Sequence, residues 1–60
     1  MRDFEELNEI ICGLDAELFD RLNNNSWDSA MGDKNAKARF RRALKKAEIT
    51  EDEWWFWAEA

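Results

Sequence analysis

Large apolar side chains recur through the first third of the chain at Phe4, Leu7, Ile11, Leu14, Leu18 and Leu22. The steps alternate between three and four residues, the spacing of one stripe along an α-helix. Ile10 and Phe19 widen that stripe. The unbroken pattern predicts one helix over residues 3–23, kinked at Gly13, because glycine inside a helix costs about 1 kcal/mol relative to alanine. A full break at Gly13 is the alternative, and Asp15 would then cap a second helix. Asn23–Ser26, "NNNS", reads as the loop that ends the segment, since Asn accepts left-handed backbone and Ser favours caps. Trp27 and Met31 suggest an extra helical turn near 27–31, anchored on the core, with Gly32 as a stop and Asp33 as the next N-cap.

The pattern then changes. Ala36, Phe40, Ala43, Leu44 and Ala47 form a narrow apolar edge at helical spacing, which predicts a helix over 34–47. Thr50 and Glu53 have the T-x-x-E form of a capping box and open a last helix over 51–59. The expected fold is all-α: a single domain, residues 1–60, of three main helices (3–23, 34–47 and 51–59) with the extra turn near 27–31. Composition agrees, because there is no proline or valine and the only β-branched residues are Ile10, Ile11, Ile49 and Thr50. A chain of this length buries only about 60% of the surface its unfolded form exposes. Oligomerisation or a partner would supplement its core.

Charge adds a second layer. The formal net charge is −5 and falls in blocks. Residues 1–33 carry nine acids and two bases, residues 34–47 seven bases and no acid, and residues 48–60 five acids and no base. Such blocks bear on partner choice more than on fold. On a continuous first helix, Glu6, Glu9, Glu17 and Asp20 line up opposite the apolar stripe, with Glu5 beside them. That row is either a solvated face or a surface that imitates nucleic acid and enters a basic groove on another protein. The basic helix, with Lys34, Lys37, Arg39, Arg41, Arg42, Lys45 and Lys46, would pair with the acidic helix of the same chain or of a second copy. Direct nucleic-acid binding is disfavoured, because the two acidic blocks repel a duplex.

The chain closes on "EDEWWFWAEA". A helix turns about 100° per residue, so Trp54 and Trp57 share a face while Phe56 lies about 200° from Trp54. Phe56 then stands among Asp52, Glu53 and Glu59. One short helix cannot bury all four aromatics against one core. The end of the chain is therefore a wrapped core segment, an aromatic binding patch rimmed by carboxylates, or a self-association surface.

Catalytic chemistry has little to work with. There is no histidine, the commonest general base and metal ligand. The glycines, Gly13 and Gly32, form no phosphate loop. Cys12, beside the apolar stripe, reads as a small buried hydrophobe, and a lone thiol fits a reducing compartment such as the cytoplasm. No apolar run approaches a membrane span, and the acidic "MRDFEELNE" does not lead into a signal-type stretch. The expectation is a non-enzyme without cofactor or metal.

In general character the chain resembles the small acidic inhibitor proteins of phages and mobile elements, the anti-CRISPR proteins among them. The features are its size, its pI near 4.6, "EELNE…AELFD" and "EDEWWFW". The resemblance implies a non-enzymatic inhibitor in a host cell cytoplasm that occupies the nucleic-acid groove, or a subunit surface, of a host defence complex. No residue carries over from the resemblance; the acidic row and the aromatic end themselves give the expected partner-binding residues, Glu5, Glu6, Glu9, Glu17, Asp20, Asp52, Glu53, Trp55, Phe56 and Glu59. The alternatives are a small nucleic-acid-binding or regulatory protein using Lys34, Lys37, Arg41, Arg42, Lys45 and Lys46, or a structural dimerisation module.

Overall fold

The computed structural model describes residues 1–60. It holds four α-helices and no strand: α1 (Phe4–Cys12), α2 (Ala16–Ala30), α3 (Lys34–Ala47) and α4 (Glu51–Ala58). Each helix opens on a side chain that takes up its free backbone N–H groups. Asp3 accepts from the Glu6 N–H at 2.9 Å and Asp15 from the Leu18 N–H at 2.9 Å. Asp33 accepts from Asn35 and Ala36 at 2.9 and 3.1 Å. Thr50 and Glu53 form the expected capping box, with the Glu53 N–H donating to Thr50 Oγ1 at 3.1 Å and the Thr50 N–H to Glu53 Oε1 at 3.0 Å.

The helix expected over 3–23 is two helices. α1 ends at Cys12, and Gly13 closes it with its N–H shared between the Glu9 and Ile10 carbonyls. Asp15 is extended (ψ 155°) and starts α2. The apolar stripe runs through the break because both helices use it against the same core. The cap at Asp15, together with the poor helix propensity of Gly13, outweighs continuity.

The segment 23–26 is not a loop either. α2 runs through it to Ala30 and absorbs the turn expected near 27–31. Tertiary contacts override local preference here. Asn25 donates to the Arg21 carbonyl at 2.8 Å and accepts from Arg39 Nε of α3 at 2.9 Å. Ser26 is fully buried and returns its hydroxyl to the Asn23 carbonyl. Trp27 and Met31 do not anchor this turn in the core, being 53% and 86% exposed. Trp27 instead rests edge-on against Trp55, with ring centroids 5.3 Å apart.

Met31–Asp33 turn the chain back, so that α2 and α3 pack as a helical hairpin, while α1 lies against α4. The shared core comprises Leu7 and Ile11 of α1, Leu18 and Leu22 of α2, Phe40, Ala43, Leu44 and Ala47 of α3, then Ile49 and Trp54. Trp54 is its largest fully buried side chain, touching Phe19 and Trp57 at centroid distances of 6.0 and 5.5 Å. α2 and α3 end in the same hydrogen-bonded motif. Asp33 N–H donates to the Asp28 carbonyl and Gly32 N–H to Ser29; Ile49 N–H donates to Leu44 and Glu48 N–H to Lys45. The residue in left-handed backbone is Gly32 (φ 100°) in one and Glu48 (φ 60°) in the other.

Candidate interaction site

The acidic end of the chain is partly built into the fold. Glu53 is buried, and its carboxylate accepts from Arg2 Nε at 2.9 Å, Arg2 Nη2 at 3.0 Å, the Arg2 N–H at 3.1 Å and the Thr50 N–H at 3.0 Å. Arg2 Nη2 also donates to the Glu48 carbonyl at 2.8 Å. One carboxylate thus clips the start of the chain to α4. The Arg2 side chain, then the Thr50 backbone, hold the Glu53 carboxyl far below the usual carboxylate range. The bond to Glu53 raises the Arg2 guanidinium in turn. Glu53 therefore serves the structure and is not free to meet a partner, a correction to its expected place in the binding rim. Asp3, Glu6 and Asp52 line an open cleft around this pair, in which Arg2 is the only basic side chain.

Phe56 is 41% exposed, as its place on the far side of α4 requires. It is not isolated. Phe4, expected in the core stripe, is 40% exposed and meets Phe56 edge to face, with centroids 6.5 Å apart. From Phe4 a row continues along α1 at steps of four to Asn8 and Cys12, neighbours on one helix face. Asn8 Oδ1 accepts from Trp57 Nε1 at 3.0 Å and from Cys12 Sγ at 3.5 Å. Cys12 is exposed, not buried. Beyond it lies an apolar hollow of about 370 Å³ lined by Ile11, Leu14, Phe19 and Trp57, with Asp20 at its edge. The seam of α1 and α4 thus carries a strip with Phe4 and Phe56 at one end and this hollow at the other, joined through the polar Asn8 and Cys12. Glu5 and Glu9 stand on the neighbouring turns of α1, with Asp52 of α4 and the C-cap Glu59 one turn either side of Phe56; all four are exposed.

The other expected residues are dispersed. Glu6 lines the Arg2 cleft, as Asp52 does, but Glu6 lies on the flank of α1 away from Phe4, about 160° round the helix. Glu17 is on α2 and ion-pairs with Arg21 one turn on. With the break at Gly13, the carboxylates of α1 and α2 do not form one continuous helical row. Trp55 is half-buried against Trp27 and Phe40 (6.3 Å) and serves the core more than the surface. Phe4, Asn8 and Cys12 were missed by sequence reasoning. Their i, i+4, i+8 spacing was the available signal, hidden by the assumption that an apolar stripe is always core.

The basic helix also departs from expectation. The ion pairs of the molecule are Arg2–Glu53 and Arg21–Glu17. None of the seven cations of α3 reaches a carboxylate, so α3 is not neutralised within the chain. Lys34, Lys37, Arg41, Arg42, Lys45 and Lys46 are all exposed. Arg42 and Lys46 turn with Arg39 toward α2, where they meet Arg21 across a groove.

No three thiols or carboxylates converge to hold a metal ion, and no helix is long and apolar enough to cross a membrane. No family model matches the chain, and neither a curated protein nor a solved structure does so.

Proposed function

We propose that this protein is a non-enzymatic interaction module that inhibits a nucleic-acid-binding protein machine by docking the α1–α4 seam on one of its basic surfaces. One observation carries the reading: Phe4 and Phe56 stand exposed as a pair in the middle of a carboxylate field. Aromatic centres inside polar rims are the usual anatomy of a binding hot spot. The carboxylates that remain free, Glu5, Glu9, Asp52 and Glu59, would speed encounter with a basic partner and fix its orientation. Asp20 extends the rim to the hollow beyond Cys12. The partner class is a protein whose basic groove or subunit surface ordinarily faces nucleic acid.

The exposed thiol supplies the test. A photo-crosslinker attached to Cys12 sits within the strip and reports what covers it in cells of the native host. The expected product joins the chain to a basic nucleic-acid-binding protein. Phe56→Ala should reduce capture roughly thirtyfold, the loss of about 2 kcal/mol that marks an anchor contact at minimum. Its effect on folding should be about 2 kcal/mol, the edge-to-face pair together with the partial burial of a ring that is 41% exposed. Crosslinks only to a second copy, or capture indifferent to Phe56, would reject the reading.

A further inference from the structure

We propose that the groove between α2 and α3 is an oxyanion site that takes two neighbouring phosphate groups, those of a nucleotide diphosphate or of a nucleic-acid strand. The groove measures about 360 Å³ and has Leu18 and Ala43 as its apolar floor. Four cationic side chains from two helices converge on it: Arg21 of α2, and Arg39, Arg42 and Lys46 of α3. The α3 residues follow at i, i+3 and i+7, one flank of a helix, and span about 10 Å at a rise of 1.5 Å per residue. Gathering like charges in a concave site opposes folding unless something of opposite sign enters it.

The arrangement is also oriented. Arg39 Nε donates to Asn25 Oδ1 at 2.9 Å. Asn25 is itself buried and fixed through its donation to the Arg21 carbonyl at 2.8 Å. The guanidinium is thereby held by its stem side, and its terminal nitrogens find no acceptor within the chain. Those nitrogens are the fork that binds an oxyanion bidentately. Three of the four cations are arginines, the residue whose planar donors match phosphate. The single acidic contact in the group is Glu17 on Arg21, an exposed pair worth at most about 1 kcal/mol, which an entering phosphate can displace.

The net charge of −5 does not forbid this. Residues two apart on a helix lie about 160° apart, so Arg21 is on the flank of α2 opposite Phe19. Phe19 meets Trp54 and Trp57 of α4, and the groove therefore opens away from α4 and its acidic first turn. The molecule measures 30 × 20 × 15 Å. At physiological salt the screening length is about 8 Å, so charges on the far side act weakly inside the groove.

The experiment follows backbone amide shifts of the whole protein in phosphate-free buffer at physiological ionic strength, where the screening holds. The probes are pyrophosphate, an eight-nucleotide oligothymidylate and polyglutamate. The first two should move resonances of residues 18–25 and 39–46. Tighter binding of the strand identifies nucleic acid as the source, and tighter binding of pyrophosphate a free nucleotide. Arg39→Ala should weaken binding tenfold or more, while Arg41→Gln, off the groove flank, should change it less than twofold. If Arg39→Ala loosens the hairpin, the pair Arg42→Gln and Lys46→Gln, whose side chains make no hydrogen bond in the fold, carries the same expectation. Three results would overturn the proposal: no localised shifts, equal losses for Arg39→Ala and Arg41→Gln, or polyglutamate binding as tightly as both phosphate probes.

Discussion

The α1–α4 side and the α2–α3 side of this protein carry opposite charges and hold them differently. On the first, the strongest ion pair is inside the architecture: Glu53 is buried, saturated by Arg2 and Thr50, and fastens the chain terminus to the last helix. On the second, seven cations stand on one helix and none finds an acid. The difference separates charge that makes a fold from charge that the fold leaves unpaired. Sequence blocks of either sign look alike until the contacts are known.

The largest effect should come from the residue that joins the two sides. Trp54 of α4 is fully buried against Phe19 of α2, and Trp54→Ala should cost about 3–5 kcal/mol. A domain of this size holds roughly 0.05–0.15 kcal/mol per residue, so the variant should be close to unfolded at 25 °C. Circular dichroism during chemical denaturation checks it. Loss of all helices in one transition shows a single core. A surviving α2–α3 hairpin would make the two sides separate folding units and break the comparison.

Glu53→Gln comes next. It keeps the shape but removes the charge from a carboxylate that accepts four hydrogen bonds, at a cost of about 2 kcal/mol. The pH dependence gives the sign. The folded pKa is depressed, so the contribution is complete above the unfolded value near 4.5 and is lost as pH falls from there toward the lower folded value. The parent should lose stability below about pH 4.5, and the Gln variant should lose less, by up to about 1.4 kcal/mol per pH unit for one proton. Identical acid limbs for the two proteins would show that the clip carries no linked proton.

How much of this was readable beforehand differs between the same two sides. α3 and α4 fall where their patterns put them, because Asp33 and Thr50 announce their starts and the apolar edges are local. The buried face of Trp54 and the exposed face of Phe56 follow from rotation alone. Residues 3–30 misled for two reasons. A stripe of apolar residues passes through a helix break without a phase error when both helices cover one core. Asn23–Ser26 stay helical through contacts with α3 that no local propensity contains. The role of Glu53 was half visible: its capping partner is three residues away, but Arg2 lies 51 residues off in sequence. The exposed pair Phe4 and Phe56 depends on how α1 lies on α4, and neither segment alone reveals it.

The two helix ends of the hairpin offer a smaller test within the basic side. Gly32 adopts φ 100° without strain, whereas Glu48 holds φ 60°, where its Cβ is crowded. Glu48→Gly removes that crowding but frees the unfolded chain, so the net gain should be modest, about 0.5–1 kcal/mol. The Glu48 carbonyl bonded to Arg2 is backbone and survives the change. A rise in thermal midpoint confirms the assignment of strain. A fall would show that the Glu48 side chain contributes something beyond its backbone geometry.

The smallest effect probes the asymmetry most directly. Arg41 sits mid-helix on the outward face of α3, with Lys37 one turn before and Lys45 one turn after. Like charges at that spacing repel by about 0.2–0.5 kcal/mol per pair, and no carboxylate relieves them. Arg41→Gln keeps most of the stem and a similar helix propensity, so it isolates the charge. Stability should stay level or rise by a few tenths of a kcal/mol to just under 1. The gain should fade as salt is raised, because exposed charges are screened. Denaturant melts of parent and variant at low and high salt decide it. A loss of 1 kcal/mol or more at low salt would mean that α3 is paired with an acid after all, and that its charge belongs to the fold as Glu53 does.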